Sequence, residues 1–253
     1  MNAHILIAHP EPKSLNHSLA RSSQNIMEQQ GFKTTISDLY GMGFDPAERA
    51  DHYSQRSNDT HFFAQTEQRH GAETDTLPVQ IQSEIDHLMA SDLLVIHFPL
   101  WWFGPPAMLK GWMDRVFVYG QMYTSQRRYD RGACHGKHLI ACVTDGAGED
   151  SCAYNGREGD ITLHLWPVLF PFRYLGFDII NPAVFYGVGG VASIEGEGAA
   201  DNQATGIINS WENILASRDG RELWHYNSDD DFDETKRLKA TAPSFSPFVR
   251  HEP

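Results

Sequence analysis

The sequence predicts an α/β fold, a five-stranded parallel sheet with helices on both faces. Three observations predict it. Short apolar runs alternate with amphipathic stretches along most of the 253 residues. One run, LLVIHF at 93–98, is apolar without interruption, as a strand covered on both faces must be. Proline and glycine stand where helices begin and end, notably Pro105–Pro106 and Gly31.

The elements follow in order. HILIAH (4–9) is a short β-rich run that stops at Pro10. Over 16–30, Leu19, Ile26 and Met27 keep helical spacing, and Gly31 is placed to cap the C-terminus. FKTTISDLY (32–40) reads as the second strand, and Ile81, Ile85, Leu88 and Met89 as the buried stripe of the helix before the third, 93–98. PPAMLKGWMDRVF opens a helix with prolines, which the first turn tolerates because its N–H groups have no intrahelical partner. KHLIACVT (137–144) is the fourth strand. Residues 160–175 form a helix in which Pro167 and Pro171 predict a kink. FDIINPAVFYGV (177–188) is the fifth strand, and IINSWENILAS (207–217) the final helix.

Two segments fall outside this alternation. Residues 41–78 are polar, with one aromatic knot at Phe62–Phe63, and too long for a plain connection; a functional loop or a covering flap is expected. Residues 218–253 carry an acidic run (Asp229–Asp231, Asp233, Glu234), then basic residues, then proline-punctuated aromatics. The division expected is one domain, 1–217, with 41–78 inserted, and a C-terminal extension, 218–253; the length suits one core.

Composition removes several function classes. A net charge of −13 opposes general nucleic-acid binding, which needs basic stripes. Cys134, Cys142 and Cys152 are odd in number and lack C-x-x-C spacing, so neither a disulfide framework nor a structural zinc site is expected. The 13 histidines form no H-E-x-x-H, and no metal is expected. MNAHILIAHP has no basic leader with a long apolar core, and no apolar run nears the roughly 20 residues that span a bilayer. A cytoplasmic protein without membrane insertion is expected.

Ligands of open parallel sheets bind beyond the carboxyl ends of the strands, and three such corners are chemically unusual. In HPEPKSLNHSL (9–19), His9 precedes a loop whose Ser14 and Asn16 are good N-cap residues. A helix start there offers N–H groups and a positive dipole end to a phosphate, although Glu11 opposes one unless it points away. In PLWWFG (99–104), Pro99 and Leu100 lead into Trp101, Trp102 and Phe103, which can stack on a planar ligand or pack on neighbouring helices or a partner subunit. TDGAGEDSCAYNGREGD (144–160) is glycine-dense, with Gly146, Gly148, Gly156 and Gly159, so its amides can approach a ligand closely. There is no G-x-G-x-x-G and no G-x-x-x-x-G-K-[ST]. A phosphate cradle, an aromatic wall and an amide rim together suit a flavin.

FPLWWFGPPAMLKGWMDRVF resembles the signature region of the DT-diaphorase-type NAD(P)H:quinone oxidoreductases, of the flavodoxin-like superfamily. AHPEPKSLNHSL, SDLYGMGFDP, VTDGAGEDSCAYNGREGD, LWPVLFPFRYLGF and ELWHYNSDDDFD match in order, over nearly the whole chain. The resemblance implies a flavodoxin-like sheet, a homodimer with interfacial active sites, bound FAD (FMN being the other flavin of such folds) and a ping-pong hydride transfer from NAD(P)H to a quinone. It places His9, Leu15, Asn16 and Ser18 at the diphosphate and ribityl chain, and Leu100, Trp101, Trp102 and Phe103 at the flavin wall. Thr144, Asp145, Gly146 and Ala147 fall at the flavin's polar edge. Tyr123, with Thr124 and Phe103, falls at the substrate pocket, Tyr123 reaching across the dimer. The sequence departs from the family where its catalytic tyrosine and histidine align with Cys152 and Glu158; Tyr154 stands two residues from the first, and Ser125 replaces a second pocket tyrosine. Cys152, Tyr154 and Glu158 are therefore the catalytic candidates. The expected activity is FAD-dependent quinone reduction. A nitro- or azo-reductase, an ancillary regulator of a potassium-efflux system and a flavodoxin-like electron carrier are the alternatives.

Overall fold

The computed structural model describes residues 1–188 and 199–252. Residues 189–198, inside the expected 1–217 domain, and Pro253 of the expected extension lie outside the described residues. Five parallel strands form one sheet: β1 (Asn2–Ile7), β2 (Lys33–Asp38), β3 (Leu93–Pro99), β4 (His138–Thr144) and β5 (Asp178–Phe185), in the order β2-β1-β3-β4-β5. This is the flavodoxin-like order, whose switch point lies between β1 and β3. β3 is buried along its whole length, as its unbroken apolar run requires.

The sheet separates two cores. On one face Leu19, Met27, Trp211 and Leu215 of α1 (Leu15–Gln29) and α6 (Ala199–Ala216) pack on Ile5, Val95 and Ile140. On the other, α3 (Val79–Ala90), α4 (Ala107–Val116) and α5 (Ile161–Leu175) bury Ile85, Trp112 and Phe172 against Leu6, Ile96 and Val143. Alternate residues of each strand serve the two cores because successive side chains point to opposite faces. α1 ends as expected, with Gly31 at φ +83 beyond its C-cap Gln30. α5 runs from Ile161 to Leu175 with Pro167 and Pro171 inside it, and Gly176 at φ 102 ends it.

The polar segment contains a helix that its periodicity does not reveal, α2 (Ala64–Thr74). Its buried residues are Glu67, Gln68 and Gly71 rather than an apolar stripe. Glu67 accepts from Ser57 N–H at 2.7 Å and lies 3.2 Å from Arg56 Nε; Gln68 donates to Glu48 and to the Asp114 carbonyl. Arg115 of α4 reaches back to the Asp45 carbonyl at 2.7 Å. The segment is a cover clamped on α4 by buried polar pairs.

The C-terminal residues strap the free edge of β5. Asn181 N–H donates to Glu222 O and Trp224 N–H to Ile179 O, at 2.9 and 2.7 Å, so the edge ladder is paired. Beyond it Trp166, Phe170 and Phe248 stack with centroids 4.0 and 4.5 Å apart.

His97 of β3 is buried beside Trp211 and bonded to Ser23 Oγ at 2.9 Å. Burial, with a smaller push from His17, lowers its pKa to about 3. The folded pKa lies below the unfolded one, so the unfolded chain takes up the proton first. Stability is then full above about pH 6.5 and falls below it by about 1.4 kcal/mol per pH unit for this group. His4, also lowered to about 3 by burial, acts in the same direction. Urea midpoints between pH 7.5 and 5 are expected to fall less steeply for His97→Gln; an unchanged slope would show that this ring titrates normally.

Candidate active site

The carboxyl ends of β1, β3 and β4 bring the three unusual corners together. Asn16, in the first turn of α1, donates from Nδ2 to Thr144 Oγ1 at 2.9 Å, across 128 residues of chain. Leu100 N–H donates to the Thr144 carbonyl at 2.8 Å. Thr144 thus ties the α1 corner and the aromatic corner to the glycine-rich one. His9 joins them as a ring, 5.7 Å from Trp101 and 6.3 Å from His17.

At the first corner Ser14 caps α1, its Oγ accepting from His17 N–H at 3.3 Å. Leu15, Asn16 and Ser18 are buried in the opening turn, which carries no acidic residue. Ser18 Oγ donates to the Ser14 carbonyl at 3.3 Å and accepts from Arg21 at 2.9 Å. Glu11 accepts from Lys13 N–H at 2.9 Å within its own loop. Asn16 Oδ1 is buried and has no hydrogen-bond partner. A buried acceptor left unpaired is costly, which marks it as a place for a ligand's donor.

The aromatic corner leaves Pro99 as a two-residue turn closed by Trp101 N–H to Gly104 O at 2.9 Å and Gly104 N–H to Trp101 O at 3.1 Å. Its central residues, Trp102 and Phe103, have φ 51 and 61. Bulky residues avoid this left-handed region, and such strain clusters at functional sites. The turn presents rings outward: Trp102 is 95% exposed, with Trp101 and Phe103 about half exposed. The core-packing alternative therefore fails within the single chain.

At the third corner Asp145 is buried. Its backbone N–H donates to Phe185 O at 2.8 Å, and its carboxylate accepts from Ala147 N–H at 3.0 Å and from the Cys152 thiol at 3.5 Å. Among the described residues the Gly146 and Gly148 amides have no partner. Burial first, and then Asp145, push the Cys152 thiol up, so it stays protonated. Tyr154 points into solvent, and Glu158 pairs with Arg157 at 3.0 Å. The sequence reading missed His164, whose ring lies 5.0 Å from Phe103 and whose Nδ1 is buried and unpartnered. Its signal was its place four residues after the N-cap Asp160, one turn into α5 and facing the site.

Tyr123 and Thr124 do not join these corners. Tyr123 accepts from Gln65 at 3.1 Å, packs on Tyr119 and Tyr174, and lines a cavity of about 380 Å³ with Phe117 and Met113. Thr124 Oγ1 caps the turn at Gln126 and Arg127. A second cavity, about 390 Å³, lies under the C-terminal strap between Trp166, Tyr226 and Phe245. Neither cavity includes a residue of the three corners, which form an open shelf in the single chain.

Sheet order and shelf together define a flavodoxin-like protein, and the comparisons agree. A family model described as flavodoxin-like fold matches residues 1–206. NAD(P)H dehydrogenase (quinone) 1 of Cavia porcellus is 33% identical over 187 residues, 73% of this chain and 68% of that protein. Ribosyldihydronicotinamide dehydrogenase (quinone) of Pongo abelii is 32% identical over 213 residues, 83% and 89% of the two chains. A crystal structure described as a quinone reductase from Klebsiella pneumoniae superposes with TM-score 0.85 at 25% identity over 98% of each chain. The chain belongs to the NAD(P)H dehydrogenase (quinone) family, a family of oxidoreductases of flavodoxin-like fold.

Proposed function

We propose that the protein is an FAD-dependent NAD(P)H:quinone oxidoreductase of the cytoplasm, acting as a homodimer by a two-electron ping-pong cycle. One observation carries the reading: Asn16, Leu100 and Thr144 lock three strand ends together beneath an exposed, strained aromatic turn. The names of the relatives supply the donor and acceptor classes.

The residues present fit a flavin. The capped start of α1, with no acid in its first turn and Glu11 engaged elsewhere, suits the diphosphate. The orphaned Asn16 Oδ1 suits a ribityl hydroxyl. Trp102 and Phe103 offer an apolar wall to the ring system, and the Gly146 and Gly148 amides suit its pyrimidine edge. When bound, the flavin supplies hydride chemistry between NAD(P)H and a quinone. The chain's part is to bind, orient and manage charge. Cys152 acts as a positioning residue: its neutral thiol holds Asp145, whose carboxylate orders the Ala147 amide. Glu158, paired with Arg157, has its charge offset. His164, against Phe103, takes the proton-handling place that the departures at Cys152 and Glu158 leave open. Tyr123 and Thr124, away from the shelf in one chain, serve the shelf of the partner subunit as its quinone-side wall.

Mass spectrometry of the flavin released on heating tests the cofactor, and NAD(P)H oxidation with a simple quinone tests the activity. Nitro and azo acceptors belong in the same comparison, and higher kcat/KM for them would move the acceptor class. Protein that is colourless and takes up neither FAD nor FMN would end the reading. His164→Ala is expected to keep its flavin and lose about 10²-fold or more in kcat, the usual scale for a positioned acid or base. Unchanged kcat would remove His164 from the mechanism.

A further inference from the structure

In the N-terminal half of β1, away from the strand ends that form the shelf, three side chains converge that no part of the proposed reaction uses. One ring nitrogen of His4, a Glu84 carboxylate oxygen and one ring nitrogen of His87 all lie within 4.8 Å of one another. From this juxtaposition we infer a binding site for one divalent transition ion of the zinc type, ligated by His4, Glu84 and His87 and completed by water.

His4 is fully buried on the α3 side of the sheet, at the same face as Leu6. Its Nδ1 is bonded to Thr35 Oγ1 at 2.8 Å on the neighbouring strand, and its Nε2 is buried with no partner. A metal-binding histidine shows this arrangement: one ring nitrogen held by a hydrogen bond, the other left for the ion. Across from it, Glu84 and His87 stand three residues apart on α3, so both project from one side of the helix. His87 Nδ1 is also buried without a hydrogen bond and lies 3.4 Å from Glu84 Oε1. Zinc holds nitrogen and oxygen ligands at about 2.0–2.2 Å in tetrahedral array, which sets neighbouring ligand atoms roughly 3.5 Å apart. The His87–Glu84 pair, at 3.4 Å, already has that spacing, and the other pairs, within 4.8 Å, are close enough to reach it by small side-chain shifts.

The carboxylate is built in rather than incidental. Glu84 is buried, with Ser37 Oγ donating to Oε1 at 2.7 Å and Trp112 Nε1 donating to Oε2 at 2.8 Å. Among the described residues its only ion-pair partner is His87. A buried carboxylate held by neutral donors needs a cation, and a bound dication is the strongest one available. His87 is about one-third exposed, which provides an entry path and room for a water in the fourth position. Two imidazoles and a carboxylate select zinc-type ions over magnesium or calcium, which prefer all-oxygen shells. Such an ion would join β1 to α3 across the core.

The test uses the full chain, stripped with a chelator and titrated with Zn²⁺ in excess Mg²⁺. The expected result is one Zn²⁺ per chain, a Tm that climbs with zinc concentration, and a tetrahedral Co²⁺ spectrum on substitution. His87→Ala, at the exposed rim, is expected to weaken zinc binding at least tenfold; His4→Leu is expected to abolish it. Should His4→Leu fail to fold, His87→Ala decides alone. Absence of stoichiometric binding in the parent, or binding that survives His87→Ala undiminished, overturns the assignment.

Discussion

Trp102→Ala is expected to weaken flavin binding by about 10- to 100-fold while leaving the Tm of the apoprotein within about 2 °C. The ring is 95% exposed, so its removal takes nothing from the core. Covering an indole face with a planar ligand is worth about 1.5–3 kcal/mol, which converts to that range of affinity. Trp102→Gly sharpens the test, because φ 51 strains any residue with a Cβ. Glycine is expected to raise apoprotein stability by about 0.5–1 kcal/mol and still lose the flavin. Gel filtration followed by the absorbance of retained flavin reads the first effect, and urea melts of the stripped protein read the second. Intact flavin content with a lower Tm or a shift to monomer would mean that the indole packs on a second chain instead.

Gly111→Ala is expected to destabilise the fold by about 3 kcal/mol, through overpacking and the loss of a charged hydrogen bond. A Cβ at Gly111 would stand 2.2 Å from the Pro46 carbonyl oxygen and 2.3 Å from its Cβ. Backbone cannot yield as a flexible side-chain end does, so the loop around Pro46 must leave α4. That movement breaks the bond from Arg115 to the Asp45 carbonyl and pulls Phe44 from the core. The denaturant midpoint measures the loss, and faster proteolysis within residues 45–63 is expected with it. A cost under about 1 kcal/mol, the ordinary range for an exposed site, would show that this segment lies loosely on α4.

These expectations differ in how far the sequence foretells them. Pro99–Gly104 is legible as an aromatic turn from its residues alone, and α1 from its cap and spacing. The left-handed backbone at Trp102 and Phe103 is not, because no glycine marks it. α2 escapes detection because its inner face is Glu67, Gln68 and Gly71, satisfied by Arg56, Ser57 and Glu48 rather than by apolar contact. The strap over β5 escapes for the same kind of reason, since its bonds join Glu222 and Trp224 to strand residues some forty positions earlier.

By itself, then, the chain's order of residues determined the five strands, the helices with an apolar stripe, the capped start of α1 and the chemistry of the three corners. These are consequences of periods and caps that operate within a few residues. Only the tertiary structure decided that β3 lies beside β1, that Asn16 meets Thr144, that His164 faces Phe103 and that His4 meets Glu84 and His87. Those pairings span up to 128 residues and follow from how whole faces pack, which no local pattern encodes.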